Sequence, residues 1–288
     1  MKSVIIVNYP IKNNYIGICN FLKTMFSCYR INNIIHKNNT IPCVCSDIKH
    51  VYNSIFKDKS KILITKNKII PITFDEINNI YNDNKIYSLL DWKFYIISSD
   101  NINCNDFSNV WFNKNNKNSI DLKYQNIPYN IRKIYLKIIN DFEINENILE
   151  NVNNIINNIN KDFLGVHIRT WTTFLIGDRF PKKYIMKRHN YYLSVRKKYI
   201  ELINNSKYNT VLICSDNYKE INKNIIPYIS KNKEIILYHE NNDLNSFQNI
   251  FSELLLLSKS KYLIGTLNST FSELAWWYSK CSIEVDIV

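Results

Sequence analysis

Leu164-Gly-Val-His-Ile-Arg-Thr170 and Leu263-Ile-Gly-Thr-Leu-Asn-Ser-Thr-Phe-Ser-Glu-Leu274 decide how this chain of 288 residues is read. Each is an apolar run that halts at a glycine or a small polar residue. The first then presents Arg169, the second Ser269 and Thr270. Both have the form of strand ends that offer anion-binding groups, and two such ends in one α/β sheet point to a diphosphate. Thr270 and Glu273 have capping-box spacing, so a helix is expected to begin there, its free backbone N–H groups and positive dipole end facing the strand termini. Such a helix start is an anion site. It equally caps a helix whose Leu274, Trp276 and Trp277 fill a core, and the two uses are compatible; the Trp pair is read as packing.

Outward from these stretches the second half has a regular rhythm. Strands are expected at 163–168, 210–214, 234–238, 262–266 and 282–287, alternating with helices at 191–203, 218–225, 247–257 and 272–279. Alternation of this kind gives a parallel, doubly wound α/β sheet, in which ligands bind beyond the carboxyl ends of the strands. Arg169, Ser215, Asp216 and residues 266–270 stand at those ends. The first half opens with a strand at 4–7, a turn through Asn13, Asn14 and Gly17, and a helical stretch at 21–29. Short strands follow at 41–45 and 62–65, the pattern blurs over 82–118, where loops are expected, and helical spacing returns at 129–140 and 145–160. Two Rossmann-like domains are expected, 1–155 and 156–288, since the length suits one large core or two of roughly 150 residues each.

Composition explains why the two stretches stand out. Against a usual glycine share of about 7%, the chain has four glycines, and two of them, Gly165 and Gly265, fall in these stretches. Of six arginines, four lie between 169 and 196, while Asn, Ile, Lys and Tyr are abundant throughout and individually carry little information. The net charge of +12 suits an acidic ligand, nucleic acid or anionic surface, but it governs association more than identity. The lysines are scattered along the sequence with no dense block, and no nucleic-acid-binding motif is recognisable. Seven irregularly spaced cysteines, Cys43 and Cys45 the only close pair, lack the pattern of a structural zinc site and read as reduced and mostly buried. No signal-peptide core and no run of eighteen apolar residues occurs, so a soluble cytoplasmic protein is expected.

The candidate residues each have two readings. Arg169 offers a planar five-donor fork for phosphate oxygens, or an ion pair to a carboxylate such as Asp178 or Asp216. His167 shares its strand face and is either a second ligand contact or a satisfied core histidine. Glu253, among leucines on a helix, is either solvent-facing or a carboxylate that accepts from N1–H and the N2 amine of guanine; the helix pattern alone favours the exposed reading. Asp216, between a strand and a helix, is an N-cap or a ribose ligand.

Taken in order, Leu164-Gly-Val-His-Ile-Arg169, His189-Asn-Tyr-Tyr192, Val211-Leu-Ile-Cys-Ser-Asp216, Glu253-Leu-Leu-Leu-Leu-Ser258 and Asn268-Ser-Thr-Phe-Ser272 resemble the motif series of the α-1,2/α-1,6 and protein O-fucosyltransferase superfamily, the α-1,2 type most closely. The resemblance covers roughly residues 128 to 282, with a faint echo in Gly17-Ile-Cys-Asn20 that would place Gly17 and Asn20 on the acceptor side. It implies a GT-B-like enzyme with GDP-fucose as donor, a glycan acceptor, and inverting transfer without metal or cofactor. By the same resemblance Arg169 would hold the β-phosphate, Ser269, Thr270, Phe271 and Ser272 would line the diphosphate, and Glu253 would read guanine. His167 and Asp216 would lie beside the nucleoside.

One departure stands out. The family commonly continues His-x-Arg with Arg-Gly-Asp or Arg-x-Asp, whereas here Thr170, Trp171 and Thr172 follow. No carboxylate stands where that aspartate would be, and Asp178, the nearest acid downstream, is the candidate base.

Overall fold

Residues 4–7, 17–36, 41–65, 67–72, 85–89, 95–97, 107–109, 129–159, 162–172, 182–267 and 269–288 are described by a computed structural model. The chain divides into two units, Met1–Leu149 with Asp243–Phe251, and Glu150–Asn242 with Ser252–Val288.

The first unit holds β1 (Val4–Ile6), α1 (Ile18–His36), β2 (Val44–Cys45), α2 (Lys49–Ile55), β3 (Ile62–Leu63), β4 (Ile69–Ile72), β5 (Ile86–Leu89), β6 (Tyr95–Ile97), β7 (Phe107–Asn109) and α3 (Tyr129–Asn140), and α4 (Glu146–Ile159) begins in it. Its parallel strands run β1-β5-β4 and β2-β3, and a parallel bridge from Val7 to Val44 joins the two sets. The apolar face of α1, carrying Phe21, Leu22, Met25 and Phe26, is buried, as its spacing predicts. Asn32, on the same helix, is fully buried and pairs with Ile5 through both its amide groups at 2.9 and 2.8 Å, taking the place of a neighbouring strand. Strands β5, β6 and β7 fall within 82–118, where the sequence pattern blurs: runs of three or four residues are too short for periodicity to register.

The second unit is built on one five-stranded parallel sheet. Its elements are β8 (Phe163–Ile168), α5 (Lys182–Asn205), β9 (Thr210–Ser215), α6 (Tyr218–Asn224), β10 (Glu234–Leu237), α7 (Ser246–Ser258), β11 (Tyr262–Gly265), α8 (Thr270–Tyr278) and β12 (Glu284–Ile287), the first half of α7 counting with the other unit. The spatial order β10-β9-β8-β11-β12 reverses direction between β8 and β11. Along β8, Leu164, Val166 and Ile168 enter a core with Tyr192, Tyr199 and Ile203 of α5 and Ile221 of α6. The alternate residues face α7 and α8, since a Cβ on Gly165 would meet Ser260 Oγ at 2.8 Å and Leu257 Cδ2 at 3.2 Å. A Cβ on Gly265 would meet Ser272 Cβ and Ile287 Cδ1, both at 2.9 Å. These two glycines are therefore packing requirements that let helices approach the central strands. Among the described residues no helix is long and apolar enough to cross a membrane. Five of the six described cysteines are buried and all six are free thiols; Cys104 lies outside the described residues.

Candidate active site

The strand order reverses between β8 and β11, and open α/β sheets bind ligands beyond the carboxyl ends of the strands at such a reversal. The two ends are tied together by Thr266. Its Oγ1 donates to the His167 carbonyl at 2.8 Å and accepts the Arg169 N–H at 3.0 Å. With that single proton committed, Thr266 must accept from the buried Tyr199 hydroxyl at 2.9 Å. The backbone at Arg169 is thus set by β11 and α5 together.

Beyond Arg169 the chain turns sharply, and Asp216 from the end of β9 organises the turn. Its Oδ1 accepts Thr170 N–H at 2.7 Å and the Thr170 hydroxyl at 2.9 Å; its Oδ2 accepts Trp171 N–H at 3.0 Å. Arg169 Nε lies 3.8 Å from the same Oδ2, so the ion pair considered for this arginine is present with Asp216 as partner. The donor directions are fixed by chemistry. Thr170 spends its proton on the carboxylate, so the 2.7 Å contact between the two threonine hydroxyls is Thr172 donating to Thr170, and Thr172 accepts in turn from Asn217 Nδ2 at 2.7 Å. A one-way chain runs from Asn217 through two threonines to Asp216. The N-cap of α6 is Asn217, whose side chain accepts from Glu220 N–H, which corrects the N-cap reading of Asp216. The Asn-x-x-Glu spacing of residues 217–220 carried that signal.

His167 is buried. Its Nδ1 lies 2.8 Å from Ser272 Oγ, and its ring stacks on Phe271 with centroids 4.9 Å apart. Ser272 Oγ accepts Thr266 N–H at 3.1 Å, so its own proton is available for Nδ1, and the neutral tautomer with the proton on Nε2 satisfies both bonds. Burial, and then the charge of Arg169, hold this histidine down to about pKa 3. The core-histidine reading therefore describes the contacts of Nδ1, and Ser272, fully buried, spends its hydroxyl within the fold.

The N-cap of α8 lies one residue before the expected one. Ser269, extended at φ −100°, is the N-cap and accepts from Ser272 N–H. Glu273 consequently falls one position too late to close the box and instead turns inward, buried, where it accepts from Trp277 Nε1 at 3.3 Å. Thr270 is the first residue of the helix and, like Phe271, is partly exposed at its N-terminus.

Glu253 on α7 is only partly exposed and accepts the Tyr218 hydroxyl at 2.8 Å, which corrects the solvent-facing reading. Burial raises its carboxyl to about pKa 7, against the lowering effect of hydrogen bonds from Tyr218 and Cys214; the nearby charges of Asp216 and Glu240 raise it further. Tyr218, bonded to Glu253, and Tyr199, bonded to Thr266, are contacts of the candidate residues that no pattern in the sequence announced. Gly17 and Asn20 lie at the start of α1 in the first unit, where Asn20 N–H donates to the Gly17 carbonyl at 2.8 Å. Asp178 lies outside the described residues. Among the described residues no group of three or more His, Cys, Asp or Glu forms a potential metal site.

No protein-family model matches the chain, and no curated protein matches it by sequence. Solved structures do match in shape. A mutant Arabidopsis thaliana FUT1 in complex with GDP aligns over 99% of this chain and 70% of its own, with a TM-score of 0.57 and 11% identity. The fucosyltransferase NodZ from Bradyrhizobium aligns over 98% of this chain and 93% of its own, with a TM-score of 0.52 and 10% identity. Against POFUT1 in complex with GDP the chain spans about half of that protein, 50%, at a TM-score of 0.38 and 13% identity, and this match carries no weight. Identity this low speaks to architecture, and the architecture is shared over nearly the whole chain: it has a fucosyltransferase-like GT-B fold.

Proposed function

We propose that the chain is a glycosyltransferase that takes L-fucose from GDP-fucose and passes it, with inversion, to a glycan hydroxyl. The observation that carries this reading is that Arg169 and the start of α8 follow β8 and β11, the two strands at which the strand order reverses, with Thr266 tying the two strand ends together. In a single displacement the acceptor oxygen bonds to the anomeric carbon as the bond from that carbon to the diphosphate oxygen breaks; the acceptor proton passes to a base and GDP departs. Charge grows on the diphosphate as the bond breaks. A guanidinium and helix N–H groups already held in place stabilise that charge more in the transition state than in the ground state. Glu253, ionised, accepts from the guanine edge, and Asp178 is the proposed base.

The test is a donor panel with one variant. GDP-fucose should raise the melting temperature while UDP- and CMP-sugars do not, and Arg169→Ala should keep the wild-type circular dichroism spectrum yet lose GDP release by roughly 100- to 1000-fold. Wild-type turnover in that variant refutes the proposal.

A second reading, a glycan- or nucleotide-binding module without turnover, draws support from Thr172. Its hydroxyl is committed to Thr170 and Asn217, and it supplies no carboxylate. GDP-fucose bound tightly with neither hydrolysis nor transfer favours the module; slow hydrolysis favours the enzyme.

A further inference from the structure

The helix α5 starts at Lys182, nine residues before the apolar pattern announces it, and so collects cations that look scattered in sequence: seven over its 24 residues, against one acid, Glu201. Tyr192 and Tyr199 mark its buried side. At 100° per residue, Tyr184, Lys187, Arg188, Tyr191 and Lys198 fall along one flank, rings and cations interleaved. Tyr184 and Tyr191 are 40% and 37% exposed, so both rings are open to a ligand in part. Met186 and Leu193 lie on the opposite flank, so α5 has no continuous apolar stripe to lay into a bilayer. Arg196, on neither flank, is instead drawn to Glu220 at 4.0 Å.

The flank is continuous with the strand end. The Trp171 ring has the Arg169 guanidinium 5.1 Å from its centroid and the Arg188 guanidinium at 5.6 Å, and Tyr184 meets the same ring edge-on at 6.1 Å. A row of rings and cations therefore leads from Arg169 onto α5.

We infer that this flank receives the acceptor and that the acceptor is an anionic saccharide, one bearing carboxylate, sulfate or phosphate groups. Tyrosine rings offer flat apolar faces to the C–H surfaces of sugars, and Lys187, Arg188 and Lys198 complement the acidic substituents between them. The acceptor role rests on the transferase reading above; the saccharide surface itself is read from α5.

The experiment uses the full chain, with heparin and polygalacturonate as sulfated and carboxylated probes and dextran as the neutral one. Binding to both polyanionic saccharides should weaken about tenfold in Lys187→Glu/Lys198→Glu, and several-fold in Tyr191→Ala, which leaves charge unchanged. The control Lys231→Glu/Lys259→Glu, of equal charge change elsewhere in the unit, should weaken it by less than about twofold. GDP titration should be the same in all three variants. Equal losses in the control, no effect of Tyr191→Ala, or equally tight dextran binding overturns the inference. So does tighter binding of a single-stranded oligonucleotide or phosphatidylserine vesicles, lost in the same α5 variants. Absence of GDP binding in the wild-type protein refutes the donor reading separately, because the saccharide titrations are read without nucleotide.

Discussion

Asp216 Oδ2 accepts the backbone N–H of Trp171 at 3.0 Å, at a residue whose φ of 64° is left-handed. A bulky side chain in that region costs roughly 1–2 kcal/mol, and the carboxylate holds it there through two consecutive N–H groups and a hydroxyl. The strain has a visible consequence. It turns the Trp171 ring beneath the Arg169 guanidinium, so the residue that fixes the turn also places the cation.

Asp216→Asn should expose this dependence. An amide can accept on one side only, and its NH2 would face either the Thr170 or the Trp171 N–H donor. We expect a loss of about 1–3 kcal/mol in urea unfolding, together with weaker GDP binding, because Arg169 loses both its ion-pair partner and its platform. Unchanged stability would mean that the turn is held by other contacts.

Gly265→Ala and Gly165→Ala should separate packing from binding. Both place a Cβ within 3.0 Å of its neighbours, and overpacking of this kind costs roughly 1–3 kcal/mol. Gly265 abuts Ser272 in the first turn of α8, whereas Gly165 abuts Leu257 and Ser260 at the far end of α7. Both variants should melt lower, but GDP affinity should fall only in Gly265→Ala, where relief of the clash must move the helix N-terminus. Equal affinities in the two variants would remove α8 from the site.

Much of this was legible in the sequence because the second unit is regular. The strand expected at 163–168 and the helix at 129–140 have the bounds observed. Six consecutive buried residues in β8, or three helical turns of periodic apolar residues, are strong enough signals to survive a biased composition. Where side-chain chemistry decides, the sequence was less informative. Ser269 and Thr270 are both competent caps, and only backbone geometry chose the former, sending Glu273 into the core. Asn32 looked like compositional background until its amide proved to complete the edge of β1. The β5–β7 strands are too short to announce themselves, and the contact between Tyr218 and Glu253 joins residues thirty-five apart that share no pattern.

His167 predicts acid sensitivity. It is held neutral with a folded pKa of about 3 against an ordinary 6.5, burial being the main cause. Between those values the unfolded chain takes up a proton that the folded chain refuses, so this residue's contribution to stability is lost as pH falls below about 6.5. His167→Asn leaves an oxygen near the Nδ1 position to meet Ser272 and has no proton to gain. Unfolding free energies measured from about pH 7 to pH 4 should therefore fall less steeply in the variant than in the wild type. Parallel profiles would show that the imidazole titrates normally.

Glu253 predicts the opposite slope for stability and a distinct one for binding. Its carboxyl is raised to about 7 from an ordinary 4.5, so the folded chain keeps a proton that the unfolded chain has released. Its contribution to stability is full below 4.5 and is lost as pH rises through about 7. Binding runs the other way. Guanine offers two donors on N1 and N2, and only the ionised carboxylate can accept both, so GDP affinity should rise with pH up to about 7 and fall by up to tenfold per unit below it. Binding at about pH 6 should release close to one proton, measurable by calorimetry in two buffers of different ionisation enthalpy. Glu253→Gln should bind GDP weakly at every pH and release none. Affinity independent of pH from about 5.5 to 8, or a glutamine variant that binds as tightly as wild type, would take Glu253 out of nucleotide recognition and leave its hydrogen bond with Tyr218 as a purely structural contact.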